Sequence, residues 1–305
     1  MINITFFGTD IFAKIILEEL IKKFNVSLIV TKPDEKVGRK QILQESKIAK
    51  LAREKHIKCL KPINLKDIKD ELEKNNSDLF IIAEYGKIIP ENILEIPKYG
   101  AINVHASLLP KYRGPSPIQY ALLNNDKKTG VTIMQMDKEM DHGNIILQEE
   151  LDIEEYDDQI SLREKLANLG AEMLIKLLEN NQLPFQSIEQ NHQEATYTKL
   201  IEKNDGLINQ DDKIQNIINK FRAYKPWPGI FIIYKNKRIK INDIDYKIYK
   251  LKDTDKVINN FVIRNKELFL KDSENYLVKI NKLQIEGKNE ITSLDFINQL
   301  KNPAL

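Results

Sequence analysis

The residues from Asp78 to Ala83 constrain this chain more than any other stretch. After Asp78 every side chain is apolar: Leu79, Phe80, Ile81, Ile82 and Ala83. A short unbroken apolar run of this kind reads as a strand covered on both faces, as at the centre of a parallel sheet. Parallel neighbours need crossover segments, and the preceding sequence supplies them. Ile2 to Phe7 reads as a first strand, Ile11 to Phe24 as an amphipathic helix and Val26 to Val30 as a second strand. Ser46 to Lys55, Ile57 to Leu60 and Asn64 to Asn75 continue as helix, strand and helix. The expected class is α/β, with a doubly wound, mostly parallel sheet.

Chemistry concentrates between Gly100 and Gln148. Short apolar residues carry the chain to Asn103 and His105, and a loop bearing Pro110, Arg113, Gly114, Pro115 and Pro117 follows. Alternation along a strand points Asn103 and His105 the same way. Ligands of open α/β sheets bind at the carboxyl ends of strands. A second run, Val131 to Met136, leads into Asp137–Gly143 and brings the carboxylate of Asp141. The trio suits attack by an amine on a carbonyl-like centre. A charged His105 and the Asn103 amide can donate to the oxygen that becomes negative. Asp141 can hold the imidazole charged and take the proton the amine sheds. Taken alone, an Asn-x-His pair at a strand end is more often structural than catalytic.

The surrounding motifs alter that balance. Asn103-x-His105, Ser107-Leu108-Leu109-Pro110, Arg113-Gly114, Pro117-Ile118-Gln119, Thr129-Gly130-Val131-Thr132 and the Asp141 loop occur in this order. Together they resemble the 10-formyltetrahydrofolate-dependent formyltransferases, and Gly8-Thr9-x-x-Phe12-Ala13 matches the start of that family. The resemblance implies a Rossmann-like formyltransferase domain with Asn103, His105 and Asp141 as its catalytic triad. It implies 10-formyltetrahydrofolate as formyl donor, with Ser107, Leu108, Leu109 and Pro110 along the folate. Tyr85 and Gly86 would skirt the pterin ring through their backbone, with Glu84 standing where the family has a small residue.

Within the family the chain is most similar to the branch that formylates methionyl-tRNA. That implies transfer to the α-amino group of methionyl initiator tRNA, for translation initiation. Relatives that formylate a nucleotide-linked amino sugar, or hydrolyse formyltetrahydrofolate, are the alternatives. The stretch from Lys32 to Gln44 has poor periodicity and reads as an exposed loop. By resemblance it approaches the acceptor end of the tRNA through Arg39, with Lys36 and Lys40 as supporting phosphate contacts. After Lys40 it runs Gln41 to Glu45, less basic than the family pattern and without its prolines.

Ile145 to Ile153 reads as a strand, and Gln159 to Glu179 as a long helix with an apolar stripe. The polar stretch that follows gives the expected division: a catalytic domain at 1–180, a linker at 181–207 and a second domain at 208–305. The second domain opens with a helix, Asp212 to Phe221, and a rigid turn, Arg222 to Gly229, whose Trp227 can fill a contact between domains. Short strand-like runs follow at Ile230–Tyr234, Arg238–Tyr249, Lys256–Arg264, Glu267–Leu270 and Tyr276–Glu286, then a helix at Ser293–Leu300. They imply a small barrel, OB-like and tRNA-binding by resemblance.

Residues 206–305 hold 19 Lys and Arg against 12 Asp and Glu, whereas residues 1–205 hold 28 against 33. A basic second half suits a polyanion, although a general lysine bias scatters the same charge. Gly8 lacks a Gly-x-Gly-x-x-Gly context, which disfavours a nicotinamide dehydrogenase. The four histidines and Cys59 form no cluster with metal spacing, so no metal is expected. No apolar run is long enough to span a membrane, and the start has no basic segment before its apolar stretch. A cytoplasmic monomer is expected.

Overall fold

The computed structural model describes residues 2–37, 41–180, 183–209 and 211–300. It divides into two units. One comprises Met1–Ile118, Lys127–Ile153 and Ser161–Leu200, the other Gln119–Asp126, Glu154–Ile160 and Ile201–Leu305.

In chain order the structure begins with β1 (Asn3–Gly8), α1 (Ile11–Leu20), β2 (Asn25–Val30), β3 (Glu35–Val37), β4 (Ile42–Gln44), α2 (Lys47–Glu54) and β5 (Lys58–Leu60). It continues with α3 (Lys69–Lys74), β6 (Leu79–Ala83), α4 (Glu91–Leu94), β7 (Ala101–His105), α5 (Pro117–Leu123), β8 (Lys128–Gln135), β9 (Ile145–Asp152) and α6 (Gln159–Glu179). The first unit's sheet runs β5-β2-β1-β6-β7-β8-β9. Its first five strands are parallel, and β8 and β9 extend it antiparallel. All five residues of β6 are buried, as the apolar run demanded. The strand order reverses between β1 and β6, where a doubly wound sheet opens a crevice at its carboxyl edge.

Local chemistry sets the ends of the elements. The Ser46 hydroxyl accepts from Ala49 N at 3.0 Å and starts α2. On α6, Leu162, Leu166 and Met173 are buried, and Gly170 lets the helix lie close on the sheet. A Cβ there would come 2.8 Å from Val104 Cγ1, on the strand that carries Asn103 and His105.

Two expectations change, and two helices are added. The stretch read as a loop at 32–44 contains the hairpin of β3 and β4. The helix expected from Asn64 starts as a 3-10 turn, Leu65–Ile68, before α3. The short helices α4 and α5 had no clear periodic signal, because each is only one or two turns long.

The second unit holds α7 (Ile214–Tyr224), β10 (Ile230–Tyr234), β11 (Lys237–Lys250), β12 (Lys256–Ile258), β13 (Phe261–Arg264), β14 (Glu267–Lys271), β15 (Tyr276–Ile285), β16 (Glu290–Thr292) and α8 (Ser293–Leu300). Its antiparallel sheet runs β10-β11-β15-β14-β13-β12, with β16 on β15. Register shifts between Ile241 and Ile248 bend the long β11. The sheet curls into a half-barrel, the form in which the expected small barrel is present. Two-residue turns at Lys235-Asn236 and Asn265-Lys266 have positive φ at both positions, matching the twist of the strands they join. The run read as one strand from Lys256 is a hairpin, since Ile258 pairs with Phe261 across Asn259 and Asn260. Trp227, expected to fill a contact, is 59% exposed. No helix among the described residues is long and apolar enough to cross a membrane.

Candidate active site

β7 ends at His105, and Asn103 lies two residues earlier on the same face. The loop after β8 brings Asp141 to both. Asp141 Oδ1 lies 3.4 Å from Asn103 Nδ2 and 3.5 Å from His105 Nδ1. Its other oxygen, Oδ2, accepts from Gly114 N at 2.7 Å. On the far side of the imidazole, Nε2 lies 3.0 Å from Tyr112 O. A carbonyl oxygen only accepts, so Nε2 carries a hydrogen, and Nδ1 is the nitrogen turned toward the carboxylate. The imidazole is buried and the carboxylate nearly so.

The Asp141 loop folds back on the end of β8. Asp137 Oδ1 accepts from Glu139 N at 2.8 Å, and its Oδ2 lies 2.7 Å from His142 Nδ1. At Gly143 the loop returns so closely that a Cβ would stand 2.0 Å from Gln135 O. Only glycine fits there.

Ser107 to Pro110 is held from below by Thr132. The Thr132 hydroxyl donates to Ser107 O at 2.6 Å and accepts from Leu109 N at 3.1 Å and Gln148 Nε2 at 2.8 Å. Ser107 Oγ donates to Lys111 O at 2.6 Å, so its hydroxyl serves the loop. Ser107 and Leu109 are buried, while Leu108 and Pro110 are half-buried. Leu108 and Pro110 are thus the members of this segment with apolar surface left to offer.

Tyr85 offers its backbone. Its ring packs on Phe7 with centroids 5.5 Å apart, and burial pushes the phenol up to about 12. Its carbonyl accepts from Thr9 Oγ1 at 3.1 Å, tying the loops after β1 and β6 at the reversal of the sheet. Gly86 follows with φ of +70°, and a Cβ there would meet Lys32 Nζ. Glu84 has φ of 42° and lies 3.1 Å from Arg163 Nη1. Burial raises the Glu84 carboxyl above its ordinary range, and the Arg163 charge opposes that rise. Lys36 is exposed on β3, whereas Arg39 and Lys40 lie outside the described residues.

A strip read as linker joins the site. Tyr112 N donates to Thr196 Oγ1 at 2.8 Å, Arg113 N to Thr196 O at 2.8 Å, and Ser116 N to Thr198 Oγ1 at 3.1 Å. Gln190 and His192, from the same strip, contact the buried Arg113. His192 also stacks on His142, with centroids 4.1 Å apart. The sequence offered little signal for these residues, because the strip is polar and carries no period.

Among the described residues no group of three or more His, Cys, Asp or Glu is arranged to hold a metal ion. What the site presents is an amide donor and an imidazole nitrogen converging on a carboxylate beside a backbone-lined crevice. This is an arrangement for moving a proton while a negative oxygen forms.

Comparison with known proteins identifies the family. The Formyl transferase model matches residues 2–178, and the Formyl transferase C-terminal domain model matches residues 200–301. The methionyl-tRNA formyltransferase of Caldicellulosiruptor saccharolyticus is 43% identical, over 98% of this chain and 97% of that protein. That of Caldanaerobacter subterraneus is 39% identical, over 97% and 96%. Among solved structures, an N-formyltransferase from Helicobacter canadensis, in complex with folinic acid and dTDP-3-aminofucose, shares the fold with a TM-score of 0.66. It is 23% identical, covering 92% of this chain and 99% of that one. With both family models matched and relatives aligned end to end, the chain belongs to the formyl transferase family.

Proposed function

We propose that this protein transfers the formyl group of 10-formyltetrahydrofolate to the α-amino group of methionyl initiator tRNA. The observation that carries the reading is the convergence of Asn103 and His105 on Asp141 Oδ1. It occurs in a chain 43% identical to a methionyl-tRNA formyltransferase along nearly its whole length.

The chemistry follows from the open positions of the three side chains. The amine nitrogen attacks the formyl carbon, forming the new C–N bond and leaving the carbonyl oxygen negative. Asn103 Nδ2 and, in the imidazolium form, His105 Nδ1 donate to that oxygen. Their contacts with Asp141 are long for hydrogen bonds, so both retain capacity for a substrate atom. Asp141 Oδ1 takes the proton from the attacking amine, directly or through one water, while Oδ2 stays on Gly114 N. Collapse of the intermediate restores the carbonyl and breaks the bond to the folate nitrogen, which takes up the proton held by Asp141, directly or through one water, and leaves as tetrahydrofolate.

The folate lies along Leu108 and Pro110 and the backbone of Tyr85 and Gly86. In this reading Lys36, Arg39 and Lys40 meet the tRNA acceptor end, and the basic stretch 206–305 supports the tRNA body. The reading implies a cytoplasmic enzyme acting as a monomer.

Formyl transfer to initiator and elongator methionyl-tRNA, with a no-acceptor reaction beside them, tests the proposal. Rapid formylation of the initiator supports it. Folate consumption without formylated tRNA points to a hydrolase. Formylation of a nucleotide-linked amino sugar in place of tRNA points to the sugar-acting relatives.

A further inference from the structure

We propose that Gln190 is a positioning residue for Asp141, holding it in the backbone conformation that turns its carboxylate toward Asn103 and His105. The proposal rests on the catalytic reading of those three residues. Asp141 has φ of 52°, in the left-handed region that side chains other than glycine adopt at a cost. That conformation persists only where neighbours enforce it.

Gln190 supplies the enforcement. Its Nε2 donates to Asp141 O at 3.0 Å and to Gly143 O at 2.7 Å, gripping the loop on both sides of His142. Its Oε1 accepts from Arg113 Nε at 3.1 Å and Nη2 at 2.7 Å. The side chain is 4% exposed, and its amide has all of its partners. A guanidinium only donates and a carbonyl oxygen only accepts, so the two ends of the amide cannot be exchanged.

Arg113 belongs to the loop that completes the site. Tyr112, before it, receives His105 Nε2, and Gly114, after it, donates to Asp141 Oδ2. Gln190 therefore fastens the loop carrying Asp141 to the loop carrying the partners of Asp141 and His105. Losing that link shifts the carboxylate and leaves the substrate-binding surfaces in place.

Two substitutions test this. Gln190→Glu keeps the acceptor for Arg113 and sets a second oxygen against two carbonyl oxygens. Gln190→Met keeps the length and removes both sets of bonds. Each is measured for kcat and for the Michaelis constants of the formyl donor and of methionyl initiator tRNA, alone and in an Asp141→Asn background. Excess enzyme is used where turnover is slow, and melting temperature checks folding.

The expected result is a kcat lowered about 10–100-fold with both Michaelis constants within about threefold, the effect of a reacting group misplaced by a fraction of an ångström to an ångström. In the Asp141→Asn background the same changes should cost less than about twofold, because no carboxylate remains to be aimed. Undiminished kcat in a folded variant overturns the proposal. So does an equal loss in the Asp141→Asn background, which marks a merely structural residue. Should Gln190→Glu not fold, Gln190→Met carries both comparisons. Normal turnover in Asp141→Asn and Asn103→Ala would instead overturn the reading of the site itself.

Discussion

His105 Nδ1 and Asp141 Oδ1 face each other at 3.5 Å, while the opposite atoms of both side chains are held by backbone, Nε2 by Tyr112 O and Oδ2 by Gly114 N. Each residue thus has one polar atom anchored to backbone and the other facing its partner, which under the proposed mechanism is the atom that reacts. Asp141→Asn removes the proton acceptor at the open position. Its amide must also turn a donor toward either Gly114 N–H or His105. We predict a loss of about 10²–10⁴ in the rate of the chemical step, the usual size of a general-base contribution. Single-turnover formyl transfer with saturating substrates measures it. A loss below tenfold in the folded variant would remove Asp141 from the role of base.

Under the proposed mechanism, Asn103→Ala and His105→Ala each delete one donor to the developing negative oxygen. Each is expected to lower kcat by about 10²–10³, the cost of losing one such donor. Affinity for tRNA should stay within about threefold of wild type, because the proposal assigns neither side chain to the tRNA-binding surfaces. Filter binding of methionyl-tRNA beside steady-state kinetics separates the two effects. Parallel losses of affinity and rate would mean that the substitutions damage the fold.

Arg39→Ala and Lys36→Ala should raise the Michaelis constant for tRNA, leave that for the folate unchanged, and flatten the salt dependence of tRNA binding. Removing one phosphate-neutralising charge lowers the slope of log K against log salt by about one. Michaelis constants for both substrates, measured at two ionic strengths, check this. Equal defects toward folate and tRNA would count against the assignment of either residue.

Much of the first unit is legible in the sequence because its signals are local. The all-apolar Leu79–Ala83 run demands a two-sided cover, and Asn103-x-His105 needs only strand alternation to share a face. Asp141 could be brought in from its motif, although its left-handed backbone could not be foreseen. Gln190, Thr196 and Thr198 stay hidden because they act through hydrogen bonds to loops far away in sequence, and no periodicity records such pairings. In the second unit the strands were legible by their β-branched content. The break at Asn259-Asn260 was not, since two residues suffice for the turn.

Trp227 shows where size misleads. A lone tryptophan in a proline-bearing turn reads as the filler of a contact between domains, and here it is 59% exposed. Trp227→Ala is therefore expected to cost less than about 1 kcal/mol, as for other surface substitutions that touch no special feature. Phe269→Ala, in contrast, empties a site packed among Val262 and Leu277 and should cost about 3–5 kcal/mol. Urea unfolding of the two variants compares them directly. A Trp227→Ala cost close to that of Phe269→Ala would show that the indole is buried in solution.

The acid limit of stability should depend on Asp255. Its carboxylate receives Arg264 Nε at 2.8 Å and Nη2 at 2.6 Å, and this forked contact holds its pKa down to about 2, from an ordinary 3.8. A carboxyl whose folded value lies below its unfolded value stabilises the fold above the unfolded value. That stabilisation is lost as pH falls through the folded one. The window is therefore about pH 4 to about pH 2, and above it the contribution is constant. Wild type should lose melting temperature more steeply than Asp255→Asn across that interval, and the two curves should run parallel from pH 5 to pH 7. Arg264→Lys, which cannot offer the fork, should fall between them. Parallel curves down to pH 2 would mean that the Asp255–Arg264 contact contributes nothing to acid resistance.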